Sequence, residues 1–175
     1  MVRLRTVGFL QQGIRWPVPI VLASCASVAL TVGLFVYAVD RGKLLGSWPL
    51  NATVAVSGSL FGMLGYWLPS FIHPFAFGLL TAAARPSGLR PAYRACMAWW
   101  AVNVAFEVGQ HPLVSARLAN IFQSSIGTGA FQQSLSDYFT RGTFDVGDLL
   151  AATAGAAAAA GVLWLANYLE GRDAR

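Results

Sequence analysis

Charged side chains are scarce in this chain. Only 11% of its 175 residues are Asp, Glu, Lys or Arg, which is well under half the roughly 25% of an average soluble domain. Hydrophobic residues make up 56% of the chain and form long runs with little polar interruption. This composition argues against an ordinary soluble domain and predicts an integral membrane protein. The length suits one compact transmembrane domain, 1–175.

Cysteine is also scarce, and both cysteines, Cys25 and Cys96, lie in apolar segments. They form neither a disulfide framework nor a metal-ligand spacing, so we interpret them as small buried hydrophobic residues. The net charge of +5 does not indicate nucleic-acid binding, because the basic residues flank apolar runs and form no basic face. We therefore interpret them as topology signals and expect no nucleic-acid partner.

The apolar runs predict an all-α, polytopic membrane protein with about four transmembrane helices. A spanning helix needs about 20 apolar residues, and the run from Pro17 to Ala38 supplies 22 without a charge. The four predicted spans lie at about 17–38, 66–84, 91–110 and 145–169. In the second span, Ser70 is a candidate N-cap. The preceding segment 51–65, rich in Ser, Gly and Thr, is interpreted as interfacial or re-entrant, and a full crossing by it is left open.

The fourth span contains two glycines, Gly155 and Gly161, separated by five alanines. Small side chains let membrane helices approach closely, so we expect this run to pack against a neighbouring helix. Residues 111–144 form an extracytoplasmic insertion before that span. Its first part, 113–122, alternates apolar and polar residues and suggests an amphipathic helix on the membrane surface, whereas 124–129 is loop-like.

Four spans place both termini on the same side of the membrane. The N-terminus, the 85–94 loop and the C-terminus hold eight Lys and Arg residues, and the two other connections hold four. Because basic residues concentrate on the cytoplasmic side, we expect both termini to be cytoplasmic.

With this topology, the third and fourth spans bring polar side chains to one level on the extracytoplasmic side. Asn103, Glu107 and Gln110 share one helix face. An intramembrane carboxylate costs roughly 2.5–3.5 kcal/mol and usually faces the bundle interior. Glu107 is therefore either a functional polar group or a structural hydrogen-bond clamp. Asp145 is best explained as a helix cap, and either role fits Asp148.

Two further ionisable residues are expected near the same level. His73 lies near the outer start of the second span, where it is either a satisfied polar residue or a ligand. Arg141 precedes the fourth span and suits either a carboxylate partner or a phosphate.

These residues together resemble a known family. His73-Pro-Phe-Ala-Phe, Glu107-Val-Gly-Gln110 and Arg141-Gly-Thr-Phe-Asp145-Val-Gly-Asp148, followed by a glycine-bearing helix, resemble the VanZ-like membrane proteins. The resemblance covers the second half of the chain and His73. The chain departs from the family pattern in the residues before His73, in its long 111–140 insertion and at Ala152. The resemblance implies a role in the bacterial cell envelope, in the cytoplasmic (inner) membrane, within a family linked to glycopeptide resistance.

Several functions fit these features. We expect most a protein that binds membrane lipids or a lipid-linked envelope intermediate at the polar cluster. An intramembrane hydrolase or transferase would use His73, Glu107, Asp145 and Asp148 as a metal site or an acid–base pair, but no hydrolase motif or nucleophile is evident. An assembly or scaffold subunit would use the glycine-bearing helix. A transporter ranks last, because no inverted repeat is visible.

Overall fold

A computed structural model describes residues 17–41, 60–84, 88–125 and 129–173. Within these ranges the chain is all-helical, with six helices and no strand, which confirms the predicted all-α class. The helices are α1 (Val18–Arg41), α2 (Met63–Ala84), α3 (Leu89–Gly109), α4 (Pro112–Ser125), α5 (Ala130–Arg141) and α6 (Val146–Asp173). Most of the predicted interfacial segment 51–65 lies outside the described residues, and its last three residues belong to α2.

Three of the described helices are long and apolar enough to cross a membrane. The qualifying segments are Val18–Val39 in α1, Met63–Ala84 in α2 and Val146–Glu170 in α6. Large apolar side chains such as Val28, Leu34 and Leu150 are exposed on α1 and α6, as expected of helices that face lipid. These features support a membrane protein.

Helix α2 lies at the centre of the bundle and packs against α1, α3 and α6. Its buried residues Ile72, Ala76 and Leu79 form the middle of the apolar core. The other buried core residues are Leu22 and Ala26 of α1, Ala82 of α2, Cys96 of α3, and Ala159 and Leu163 of α6. Because α2 contacts all three other long helices, the positions of their polar residues are set relative to it.

Helix α6 approaches α2 closely at Gly155. A Cβ atom at this position would collide with the backbone carbonyl oxygen of Phe71 on α2, which no rotamer change relieves. A Cβ at Gly161 would meet nothing within 4 Å. The expectation of close packing across the glycine–alanine run therefore holds for Gly155 and is wrong for Gly161, because the second glycine faces away from the bundle.

Two tryptophan hydrogen bonds attach α3 to the bundle. The indole Nε1 of Trp99 donates to Oγ1 of Thr81 on α2 at 2.9 Å. The neighbouring Trp100 donates through Nε1 to Oγ1 of Thr153 on α6 at 3.0 Å. Helix α3 is therefore held to both α2 and α6 by hydrogen bonds, which are costly to lose where no water is present to replace them.

Helices α4 and α5 pack mainly on each other and lie at the C-terminal end of α3. The ring of Phe139 is buried and stacks on Phe106 of α3, with ring centroids 5.8 Å apart. Gly109 leaves the space for this ring, since a Cβ there would meet Phe139 Cε1 at 2.5 Å. The predicted loop-like segment 124–129 is wrong at its first two residues, because α4 continues to Ser125, and residues 126–128 lie outside the described part of the chain. Helix α5 was not predicted as a separate element.

The predicted cap at Ser70 is wrong. Helix α2 begins at Met63, so Ser70 lies inside it, as do Pro69 and Pro74. A proline inside a helix in water usually breaks or kinks it. Membrane helices tolerate an interior proline where neighbouring groups pack around the freed backbone. Pro74 is among the most completely buried side chains described, in agreement with this explanation.

Candidate functional site

One end of the bundle contains a cavity of about 740 Å³. Helices α1 and α3 contribute residues near their C-terminal ends, and α2 and α6 contribute residues near their N-terminal ends. Consecutive long helices therefore alternate in direction. The cavity is lined by Tyr37, Tyr66, Pro69, Ser70, His73, Asn103, Phe106, Glu107, Gln110, Asp137, Tyr138, Arg141, Gly142, Thr143, Asp145, Asp148 and Ala152. All seven residues of the polar cluster that the sequence predicted line this one cavity. They are His73, Asn103, Glu107, Gln110, Arg141, Asp145 and Asp148.

Glu107 connects the end of α3 to the start of α6. Its Oε1 atom accepts a hydrogen bond from the backbone N–H of Asp145 at 2.6 Å. The Asp145 Oδ1 atom in turn accepts the backbone N–H of Gly147 at 2.7 Å, which is the contact of a helix N-cap. Glu107 therefore makes the contact of a structural clamp, and Asp145 makes the contact of a cap.

Two side chains of α2 bind the carboxylates at the start of α6. The Trp67 indole Nε1 donates to Asp145 Oδ2 at 3.2 Å, and the Ser70 hydroxyl donates to Asp148 Oδ1 at 2.6 Å. Gly147 leaves room for the Trp67 indole, which a Cβ there would overlap. The acidic start of α6 is thus held against α2 at two points, and Asp148 is a partner of Ser70.

The amide side chains of α3 have different partners. Asn103 donates through Nδ2 to the backbone carbonyl of Trp99 at 2.8 Å, so part of its hydrogen-bonding capacity is used within its own helix. Gln110 forms a hydrogen bond with the Tyr138 hydroxyl of α5. Burial raises the pKa of the Tyr138 phenol, while this hydrogen bond opposes the rise. The phenol therefore stays protonated through the neutral pH range.

Arg141 lies at the rim of the cavity. Its side chain is 80% exposed, and Nη2 lies 3.6 Å from Oδ2 of Asp137, one helical turn earlier. The carboxylate partner anticipated for Arg141 is thus Asp137, a residue that the sequence analysis did not single out. Exposed i, i+4 ion pairs contribute little to stability, so Arg141 can exchange this partner for a ligand at small cost.

His73 is exposed on the cavity side of α2. Its ring stacks on Phe77, with centroids 5.9 Å apart. Within the described ranges, no group of three or more His, Cys, Asp or Glu side chains is arranged to hold a metal ion.

Sequence reasoning missed much of the cavity lining. The aromatic residues Tyr37, Tyr66, Phe106 and Tyr138 come from four different helices. A membrane protein has many aromatic residues, and no local pattern distinguishes these four. Asp137 could have been found, because its i, i+4 spacing to Arg141 is typical of a helical ion pair.

Comparison of the chain with protein-family models, curated proteins and solved structures finds no match. The site is therefore interpreted from its own geometry.

Proposed function

We propose that the protein is a four-span membrane protein that binds the polar head of a lipid, or of a lipid-linked envelope intermediate, in this cavity. The observation that carries the proposal is that a 740 Å³ cavity with charged and polar side chains in its lining lies at one end of a bundle in which three helices are apolar enough to cross a membrane. An apolar bundle with a polar chamber at its end suits an amphipathic molecule, whose chains can stay in the bilayer while its head enters the chamber.

Helix α3 is the fourth span in this proposal. It is less apolar than the other three long helices, but its 21 residues correspond to about 31 Å at 1.5 Å per residue, close to the thickness of the hydrocarbon core. Its Trp99 and Trp100 hydrogen bonds to α2 and α6 support a position inside the bundle. A crossing by α3 also agrees with the alternating helix directions.

The cavity then opens on the extracytoplasmic side. Arg90 and Arg94 lie at the end of α3 opposite the cavity, where basic residues favour the cytoplasm. The proposed location is the bacterial cytoplasmic (inner) membrane, with both termini cytoplasmic. The resemblance to VanZ-like proteins supports an envelope role, since the polar residues of its motifs line the cavity, namely His73, Glu107, Gln110, Arg141, Asp145 and Asp148.

Native mass spectrometry of the full chain, purified in mild detergent from cell membranes, tests the proposal. The wild-type protein should retain one species of lipid mass after the detergent is removed. A double variant, Glu107→Gln with Arg141→Ala, should lose that species. The Gln side chain still offers an acceptor to the Asp145 N–H, and Arg141 is mostly exposed, so the fold is expected to survive.

Arg117→Ala provides the matched control. Arg117 is an exposed arginine on α4 that does not line the cavity, so this variant should retain the lipid as the wild type does. Absence of any lipid-mass species in the wild type would overturn the proposal, and so would equal retention by all three proteins.

A further inference from the structure

The carboxyl groups of this protein are concentrated in the cavity. Among the residues that the structure describes, four acidic residues and one basic residue, apart from His73, line the cavity. The four acids are Glu107, Asp137, Asp145 and Asp148, and the one basic residue is Arg141. The described lining therefore has more acidic than basic side chains, and a purely anionic head group would meet repulsion beside it.

Glu107 has an oxygen atom free for a ligand. The residue is only 9% exposed, and Oε1 is occupied by the Asp145 N–H. No described residue donates to Oε2, and no fully buried side-chain oxygen in the described ranges lacks a partner. The Oε2 atom of this nearly buried residue therefore reaches the cavity space. A carboxylate oxygen that faces the cavity without a protein donor can accept a hydrogen bond from a ligand.

Aromatic rings complete the surroundings. Tyr37, Tyr66, Phe106 and Tyr138 line the same space, and Phe106 and Tyr138 meet edge to face with centroids 5.6 Å apart. Carboxylates beside aromatic rings are the groups that attract an organic ammonium, through charge-assisted hydrogen bonds and cation–π contacts. The guanidinium of Arg141, which is the only one among the described lining residues, is at the rim rather than in the interior.

We infer that the head group bound in the cavity carries a primary ammonium, which lies beside Glu107 and Asp148, and an adjacent phosphate, which lies at Arg141 on the rim. The ligand class is thus a zwitterionic amine phosphate. The inference rests on the proposed function and narrows it, because a polyanionic head, such as a pyrophosphate without an amine, would have one cation and four carboxyl groups around it.

The test uses the full chain in nanodiscs with lipids of matched acyl chains, followed by release into native mass spectrometry. The probes are phosphatidylethanolamine, its N-acetylated derivative, which keeps the phosphate and loses the cation, and phosphatidylglycerol. Phosphatidylethanolamine should be retained at least about tenfold better than either of the other lipids. About tenfold is the lower limit expected from the loss of one charge-assisted hydrogen bond.

Two variants separate the ends of the head group. Glu107→Gln combined with Asp148→Asn removes negative charge while keeping acceptors for the Asp145 N–H and the Ser70 hydroxyl. It should abolish the preference for the amine. Arg141→Ala should weaken retention of all three phosphate-bearing lipids and leave the preference for the amine intact. A thermal unfolding midpoint close to that of the wild type verifies that each variant is folded.

Free phosphoethanolamine identifies the source of the ligand. If free phosphoethanolamine displaces the bound lipid, the amine phosphate alone is recognised. If it does not compete with the lipid, binding also requires the acyl chains. Either result agrees with amine recognition. Equal or better retention of phosphatidylglycerol would overturn the inference and leave lipid binding standing. Retention of no lipid at all would overturn both the inference and the proposed function.

Discussion

The Oε1 atom of Glu107 accepts the backbone N–H of Asp145 at 2.6 Å, which joins the last turn of α3 to the residue that caps α6. The two residues are 38 positions apart, and the intervening segment contains the α4–α5 pair. This contact fixes where α6 begins relative to α3. It also gives Glu107 a structural role that is separate from any ligand it binds.

Glu107→Ala and Glu107→Gln should therefore differ in stability. Alanine leaves the Asp145 N–H without its acceptor, and loss of one partner of a buried hydrogen bond costs about 1–3 kcal/mol. Glutamine keeps a carbonyl oxygen at the same position, so its free energy of unfolding should stay near that of the wild type. Thermal unfolding in detergent measures both. Equal destabilisation by the two substitutions would show that the charge of Glu107, rather than its acceptor, holds α6.

Gly155→Ala should destabilise the bundle, and Gly161→Ala should not. The added methyl at position 155 collides with the Phe71 carbonyl oxygen of α2, whereas the one at 161 meets nothing within 4 Å. Overpacking of this kind costs about 1–3 kcal/mol. Both changes are identical in chemistry and lie on one helix, so each controls the other. Similar unfolding midpoints for the two variants would contradict the observed approach of α2 and α6.

The sequence predicted some parts of this arrangement and missed others for identifiable reasons. The all-helical class was predictable because apolar runs of about 20 residues leave few other structures in a membrane. The shared face of Asn103, Glu107 and Gln110 follows from helical spacing alone. The second span was predicted from about residue 66, and α2 begins at Met63; Pro69 and Pro74 lie inside this helix, where packing around the helix accommodates them.

Tertiary contacts explain what else was missed. Ser70 was interpreted as a cap, but its hydroxyl donates to Asp148 from 78 residues away, a pairing that only the fold brings about. The close approach of Gly155 and the open surroundings of Gly161 likewise depend on which way α6 is turned, and a run of small residues does not encode that.

Ser70 and Asp148 should be energetically coupled. A double-mutant cycle with Ser70→Ala and Asp148→Ala should give a coupling free energy of about 0.6–1.7 kcal/mol, as found for hydrogen bonds between membrane helices. Unfolding in mixed detergent, followed by circular dichroism, supplies the four stabilities. Ser70→Ala combined with Thr81→Ala is the control, because Thr81 is the partner of Trp99, and those two effects should add. Additive effects of Ser70 and Asp148 would mean that the hydrogen bond contributes nothing to stability.

The proposed topology predicts which side of the membrane each connection faces. In a chain with Cys25 and Cys96 replaced by alanine, a membrane-impermeant maleimide should label Arg117→Cys in intact cells. Arg90→Cys and Glu170→Cys, also at exposed positions, should react only after permeabilisation, because α3 and α6 separate them from Arg117. Labelling of Arg90→Cys in intact cells would place both ends of α3 outside and remove the fourth span. Labelling of Glu170→Cys without labelling of Arg117→Cys would instead place the C-terminus outside and the cavity on the cytoplasmic side.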